Sequence, residues 1–272
     1  EADDIVRLDG LGGNIEVASG VTATQYLHTG ISGGADGASF NKTGEGTLVL
    51  TARNTFAGKV NVEAGTLVLG DGATPTQTDR NVDVETTLGG SGTVNISQGA
   101  SFAMNFADDP TTGEGFTFDR GTEGDGVFRQ IGEGITTVTK ALEHNGGTYV
   151  DAGTLKFTDE GGVKADSTVT LASGATLEIG YTDGLTHDLN YSVIGAGGNF
   201  VKTGNSTLRI DVAGTDNVFT WTGDSIVKGG VVEVKSYSER QTVTGQHMIQ
   251  VSAEDAELEA RLRVSGTFGA QR

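Results

Sequence analysis

Residues Phe40 to Leu69 recur twice in degraded form, from Phe128 to Phe157 and from Phe200 to Lys235, and this internal repetition constrains the fold more than any other feature of the chain. A supersecondary unit that returns along one chain buries its apolar face against its neighbours, which is the logic of a solenoid. Each copy opens on an aromatic (Phe40, Phe128, Phe200) with glycine four residues later (Gly44, Gly132, Gly204). A short strand is expected next, Thr47 to Leu50, Ile135 to Val138 or Thr207 to Ile210. A polar corner follows, carrying Asn54 and Gly58, Asn145 and Gly146, or Asn217 and Gly223. The second strand, such as Lys59 to Val62 or Gly147 to Val150, runs into Ala64-Gly65-Thr66-Leu67, Ala152-Gly153-Thr154-Leu155 or the looser Gly229-Gly230-Val231-Val232.

Alternation such as Val60 with Val62 sends one set of side chains to each face of a strand of about four to six residues. Glycine and asparagine at the corners supply the left-handed or closely approached backbone that a sharp turn needs. A chain that makes a short strand, turns by a fixed angle and makes another is winding. Three strands per turn would use roughly 20 to 25 residues.

The string Lys42-Thr43-Gly44-Glu45-Gly46-Thr47-Leu48-Val49-Leu50, with Asn54-Thr55-Phe56-Ala57-Gly58 and Val62-Glu63-Ala64-Gly65-Thr66-Leu67, resembles the autotransporter-associated β-strand repeat. That repeat belongs to passenger domains of bacterial type V secreted surface proteins. The second copy departs from it at Gln130-Ile131, where Lys-Thr is expected, and over Lys140 to His144 in the corner. The third has Ser206 for the second glycine and a longer corner from Asp211 to Thr222. The resemblance implies an extracellular setting, with a signal peptide and an outer-membrane barrel belonging to the full protein outside these residues. The start at Glu1 fits a processed chain or an excised piece.

Composition narrows the class. With 44 glycines but only two prolines, Pro75 and Pro110, and no three-residue glycine period, the 272-residue chain is not collagen. The recurrent β-branched and leucine runs argue against disorder. No cysteine is present, so disulfides and thiolate metal sites are excluded. A formal charge of −18 argues against nucleic-acid binding and against docking on anionic lipid, and suits a soluble, mutually repelling surface. No apolar run approaches the roughly 20 residues of a membrane helix, so direct membrane insertion by this segment is not expected.

In chain order, residues 1 to 39 read as strands Asp4 to Leu8, Asn14 to Val17 and Thr24 to Leu27 between glycine corners, with Glu1, Asp3 and Asp4 suited to capping an end or to an edge strand. Gly70 to Arg80 reads as a polar loop around Pro75, and Ala107 to Gly126 as the longest irregular stretch, a surface loop. Thr86 to Ile96 with Gly99 to Phe102, and Ser167 to Leu171 with Gly174 to Ile179, repeat the rung pattern. Beyond Ser236 the chain changes character. Ser252 to Leu262 has a helix-like composition, while the alternation of Leu258, Ala260, Leu262 and Val264 favours a strand.

Residues that might carry chemistry are few. His28, His144, His187 and His247 fall at irregular intervals with no partner at metal-ligand spacing. Polysaccharide lyases and hydrolases on parallel β-helices gather carboxylates along one face, often with calcium and an arginine or lysine, and here Asp108-Asp109, Asp119-Arg120, Glu123 and Asp125 are the nearest equivalents. They sit in a glycine-rich stretch where solvated carboxylates are ordinary. Gly33-Gly34-Ala35-Asp36-Gly37 is one approximate fragment of the calcium-binding nonapeptide, which needs tandem copies, so it reads as a turn. Phe40, Phe128 and Phe200 fit stacking inside the solenoid, and Trp221, alternating with Phe219, fits the core better than an exposed sugar platform.

The expected fold is all-β, a right-handed parallel β-helix of about ten rungs, some 50 Å long at ordinary strand spacing. Residues 1–235 form it and residues 236–272 form a capping or partner-pairing segment. The expected function is non-enzymatic and structural: a bacterial cell-surface or secreted adhesive protein whose contacts spread along a rigid face, with no catalytic, cofactor or metal residues. Its expected partners are copies of itself or a host or cell-surface ligand. A head-to-tail filament subunit and a β-helix polysaccharide lyase or hydrolase are the alternatives.

Overall fold

A computed structural model describes residues 6–8, 12–25, 30–33, 39–56, 58–79, 82–85, 88, 92–211, 217–235, 249–251 and 260–265. The described residues form strands of two to six residues and no helix. With one exception every pairing is parallel, because the strand that pairs with a given one arrives a full turn later, running the same way. One circuit shows the plan: Val94–Ile96 lies in a first sheet, Ser101–Met104 in a second and Phe116–Phe118 in a third, after which Thr122–Gly124 returns to the first beside Val94–Ile96.

The first sheet has seven strands, from Gly12–Glu16 to Gly162–Val163, and the third seven, from Phe116–Phe118 to Ile249–Val251. The second is the spine, nine strands from Thr22–Thr24 to Phe219–Trp221, which makes about eight turns where about ten rungs were expected. A fourth sheet of four strands begins at Thr186–Asp188 and takes over the first sheet's place in the circuit. Turn lengths follow the expectation: Phe128 and Thr148 are partners, as are Thr148 and Val169.

Parallel register stacks like on like. Leu48, Leu67, Phe102 and Phe128 stand in one inward row of the spine, and Leu50, Leu69, Met104 and Gln130 in the next. All are buried, and each apolar side chain in these rows contributes roughly 1.5 to 3 kcal/mol. Burial alternates along strands such as Ile135–Val138 and Thr154–Phe157, while Thr66–Leu69 and Ser101–Met104 bury three residues in a row, and together the short strands leave a continuous apolar column inside.

The three copies share one local structure but occupy different sides. Phe40 lies in the first sheet, Phe128 in the second and Phe200 in the third; all three are buried inside the solenoid as expected, but a stepwise rotation between copies keeps them from stacking on one another. Each lead aromatic packs instead on a ring from its own corner: Phe40 on Phe56 at 5.3 Å, Phe128 on His144 at 6.2 Å, Phe200 on Trp221 at 5.0 Å. In every copy the glycine of the Ala-Gly-Thr string, or its counterpart Gly230, sits directly on the preceding corner. Gly65, Gly153 and Gly230 have φ of 63°, 59° and 69°. A Cβ there would lie 2.3 Å from Gly46 O, 2.4 Å from Gly132 O and Gly134 O, and 2.3 Å from Ser206 O. The next residue closes the contact with equivalent backbone bonds, Thr66 N to Gly46 O, Thr154 N to Gly134 O and Val231 N to Ser206 O.

Two stretches read as loops are ordered into strands. Within 70–80, Thr76–Asp79 pairs with Val82–Glu85 as an antiparallel hairpin, the one exception to the parallel rule; its threonines and valines favour extended backbone. Within 107–126, Phe116–Phe118 and Thr122–Gly124 are rungs with Phe118 and Thr122 buried, and their apolar residues outweigh the surrounding glycines. At the ends, Val6–Leu8 pairs with Ile31–Gly33, and Ala260–Ser265 extends the fourth sheet beside Gly230–Lys235. The capping roles assigned to Glu1, Asp3 and Asp4, and to most of 236–272, fall outside the described residues.

Gly153→Ala is expected to lower unfolding free energy by about 3 kcal/mol, from left-handed strain plus collision with two carbonyls. Gly174→Ala, where φ is +82° but no atom lies within 4 Å, should cost only the strain, about 1 to 2 kcal/mol. Urea denaturation of the two variants measures the difference.

Candidate functional site

The corner of each repeat contains a buried polar side chain two residues after the lead aromatic. Lys42, Gln130 and Lys202 are each inaccessible to solvent. The Lys42 ammonium donates to the carbonyls of Thr43 (2.9 Å), Gly44 (2.7 Å) and Ala64 (3.0 Å), tying its own corner to the one stacked on it. Gln130 Nε2 donates to the Gly132 and Gly134 carbonyls at 2.8 and 3.1 Å, which explains why glutamine can stand where lysine is expected. Lys202 donates to Thr203 O. Burial lowers its pKa to about 8 against the opposing pull of Asp159, Asp183 and Glu178. Lys42 and Gln130 thus give partners to the Gly44, Ala64 and Gly132 carbonyls, while Thr43 O and Gly134 O also accept Val17 N and Thr154 N.

His144 takes the place that Phe56 and Trp221 hold in the other copies. Its Nε2–H donates to Gly147 O at 2.9 Å, leaving Nδ1 to accept from the Thr122 hydroxyl at 2.6 Å, one rung away. Burial lowers its pKa, with the Gly147 bond opposing. It is a neutral core histidine.

A polar cluster lies where the third sheet turns into the fourth. Asp183 accepts from Leu185 N at 2.9 Å, from Ser206 Oγ at 2.7 Å and from His187 Nε2 at 3.0 Å, and these donors hold its carboxyl down at about 2. Asp159 accepts from the backbone and hydroxyl of Thr182. Tyr181 donates to Gly161 O, and burial pushes its phenol up to about 12. Ser206 and His187 each bond to the Asp183 carboxylate, a group of very low basicity, and not to one another. A hydrolytic triad needs the imidazole between hydroxyl and acid, so this arrangement fastens a widened corner. The cluster also accounts for the serine in the third copy's turn: its hydroxyl reaches the loop of the preceding rung.

The other sequence candidates do not converge. Asp108 accepts Ile135 N at 2.6 Å, and Asp109 accepts Thr111 N and Thr112 N, bonds that lower its pKa. Asp109 thus serves amides of its own turn, and Asp108 the first amide of the strand Ile135–Val138 one turn later. Arg120 is held in a partly buried corner where burial lowers its pKa. Glu123 stands in the first sheet opposite Asn95, and Asp125 accepts from Asn145 at the following corner. Trp221 is buried and donates its indole N–H to Ser225 Oγ at 2.9 Å. His28, His247 and Asp36 lie outside the described residues. No group of three or more His, Asp or Glu able to hold a metal occurs among the described residues.

Outside, side chains join rung to rung. Asn61 donates to Asn41 at 2.8 Å and Asn41 to Asn14 at 2.7 Å, with Asn95 next in register. Lys164 donates to Asn145, which donates to Asp125. On the third sheet Lys156 meets Glu178 at 2.7 Å, and on the fourth Arg209 lies between Asp188 and Glu233. Sequence reading missed these rows because each needs the register of strands a whole turn apart.

The family described as passenger-associated-transport repeat matches residues 40–69 and 128–157, the first two copies. The chain carries autotransporter passenger repeats. Its third copy, with the lengthened corner and Ser206, lies outside that match yet keeps the same corner stacking. The chain is also similar to a Brucella suis protein named Adhesin BmaC autotransporter, 28% identical over 189 residues, covering 58% of this chain and 5% of that protein. It therefore spans a small part of the relative's length. No solved structure matches. The repeats and the adhesin relative point to a cell-surface or secreted location.

Lys42→Met should destabilise the passenger repeat by about 2 kcal/mol, since it strands corner carbonyls, while Lys42→Gln, copying Gln130, should cost about half as much; denaturant titration separates them. For His144, the lowered folded-state pKa means that the unfolded chain binds more protons once pH drops below about 6.5. Stability is thus full above that value and declines below it. Comparing denaturation midpoints at neutral and mildly acidic pH should show a steeper acid loss in the native chain than in His144→Phe.

Proposed function

We propose that this chain is a non-enzymatic adhesive segment of a bacterial surface passenger, working through the long outer faces of its solenoid. The observation that carries the reading is the distribution of polar chemistry. Asp108, Asp109 and His144, singled out in the sequence, are spent on bonds within their own turn or to the neighbouring one, while the outward polar residues run in rows from rung to rung. Such rows suit many weak contacts made in parallel, whose avidity exceeds any single one. The passenger repeats and the adhesin-named relative support the surface setting. Its partners, under this reading, are a second copy of itself or a ligand on another cell.

Display of the chain on a non-adherent laboratory bacterium tests the proposal. Attachment to cultured cells or settling of the bacteria is expected to rise severalfold over an empty display scaffold, settling reporting self-association and attachment reporting a foreign ligand. Unchanged behaviour in both assays would overturn it.

A further inference from the structure

The asparagine row of the first sheet has hydrogen-bonding capacity that the solenoid itself does not consume. A carboxamide has two N–H donors and an oxygen with two lone pairs. Asn41 spends one N–H on Asn14 and one lone pair on Asn61, and the same one-way chain enters at Asn61 and ends at Asn14. The side chains point outward, Asn14 exposed and Asn41, Asn61 and Asn95 half-buried, so the remaining donors and acceptors face solvent. Because every link donates toward the amino-terminal end, the bonds polarise one another and the row has a direction.

We propose that the row Asn14, Asn41, Asn61 and Asn95 is a track for a neutral, extended polysaccharide lying along the solenoid axis. This deepens the adhesive reading and rests on it. Three properties select that occupant. The amides recur once per rung, about 4.8 Å apart, close to the advance per sugar in an extended glycan, so hydroxyls can meet successive amides without losing phase. Each amide offers a donor beside an acceptor, the complement of a sugar hydroxyl. The row carries no charge of its own, and the charged residues that flank it on the same face, Glu16 opposite Thr43 and Glu123 opposite Asn95, are acidic, which with the chain's −18 repels a polyanion. The one-way bonding further implies that the glycan binds in one orientation.

The test uses the whole chain, linear neutral glucans from disaccharide to hexasaccharide, and heparin as a polyanionic probe. Neutral oligomers are expected to shift the side-chain amide resonances of Asn41 and Asn61. Affinity should rise with length up to about four sugars, one per rung, and then level off. The double variant Asn41→Ala/Asn61→Ala should weaken binding by about tenfold or more, while Thr137→Ala on the third sheet leaves it unchanged. The proposal is overturned if neutral oligomers leave both amides unmoved, if heparin binds as well as glucan, or if the double variant binds like the native chain. It also falls if the amides respond only to protein concentration, which marks a self-association face. The resonance shifts need no variant and stay informative if the double substitution unfolds the chain. A chain that still adheres in the display assay while ignoring glucans would remove this inference and leave the adhesive reading in place.

Discussion

The contact that sets the geometry is backbone on backbone, where the Gly65, Gly153 and Gly230 positions rest on the carbonyls of the corner one rung earlier. Neighbouring strands in a ladder are held at about 4.8 Å by their hydrogen bonds, and a corner can keep that spacing only if no side chain intervenes. Glycine is required there by both space and φ. Once the corners stack, the strands on either side are forced into parallel register, the inward rows align like with like, and the outward rows become polar ladders. The apolar column supplies the driving force; the corners decide its geometry.

Turning so sharply inside a closed winding leaves carbonyls facing inward, away from water. The passenger repeat resolves this with a polar side chain sent into the core, and the solution is chemical in kind without being fixed in residue: a lysine in the first and third copies, a neutral glutamine in the second. The same latitude appears at the second ring position, where phenylalanine, histidine and tryptophan each pack on the lead aromatic. What persists from copy to copy is the volume filled and the bonds satisfied.

The winding, the strand positions in the copies and the burial of their aromatics were legible from the sequence, because glycine corners and two-residue alternation are local signals. The phase of the copies was not. Phe40 and Phe128 carry the same motif, but the interval between them holds the Thr76–Glu85 hairpin and the rungs around Phe102 and Phe118, and only three-dimensional register shows that it closes one side further on. The strands hidden in 107–126 were masked by the glycines and the Asp108-Asp109-Pro110 turn beside them. The corner joining Asp183, His187 and Ser206 was invisible for a related reason: Ser206 lies 23 residues from the carboxylate it meets, so proximity along the chain does not reveal it.

The stepwise rotation has a consequence for how such a chain can grow. Each repeat completes its essential contacts within two successive turns, so it does not depend on which side of the prism it occupies. Material inserted between copies, the antiparallel hairpin being the example, changes where the next copy lands and leaves both copies intact. A fold of this kind can lengthen by irregular increments and acquire outgrowths on one flank without renegotiating its interior, and the penalty of an off-phase duplication is a change of facing alone.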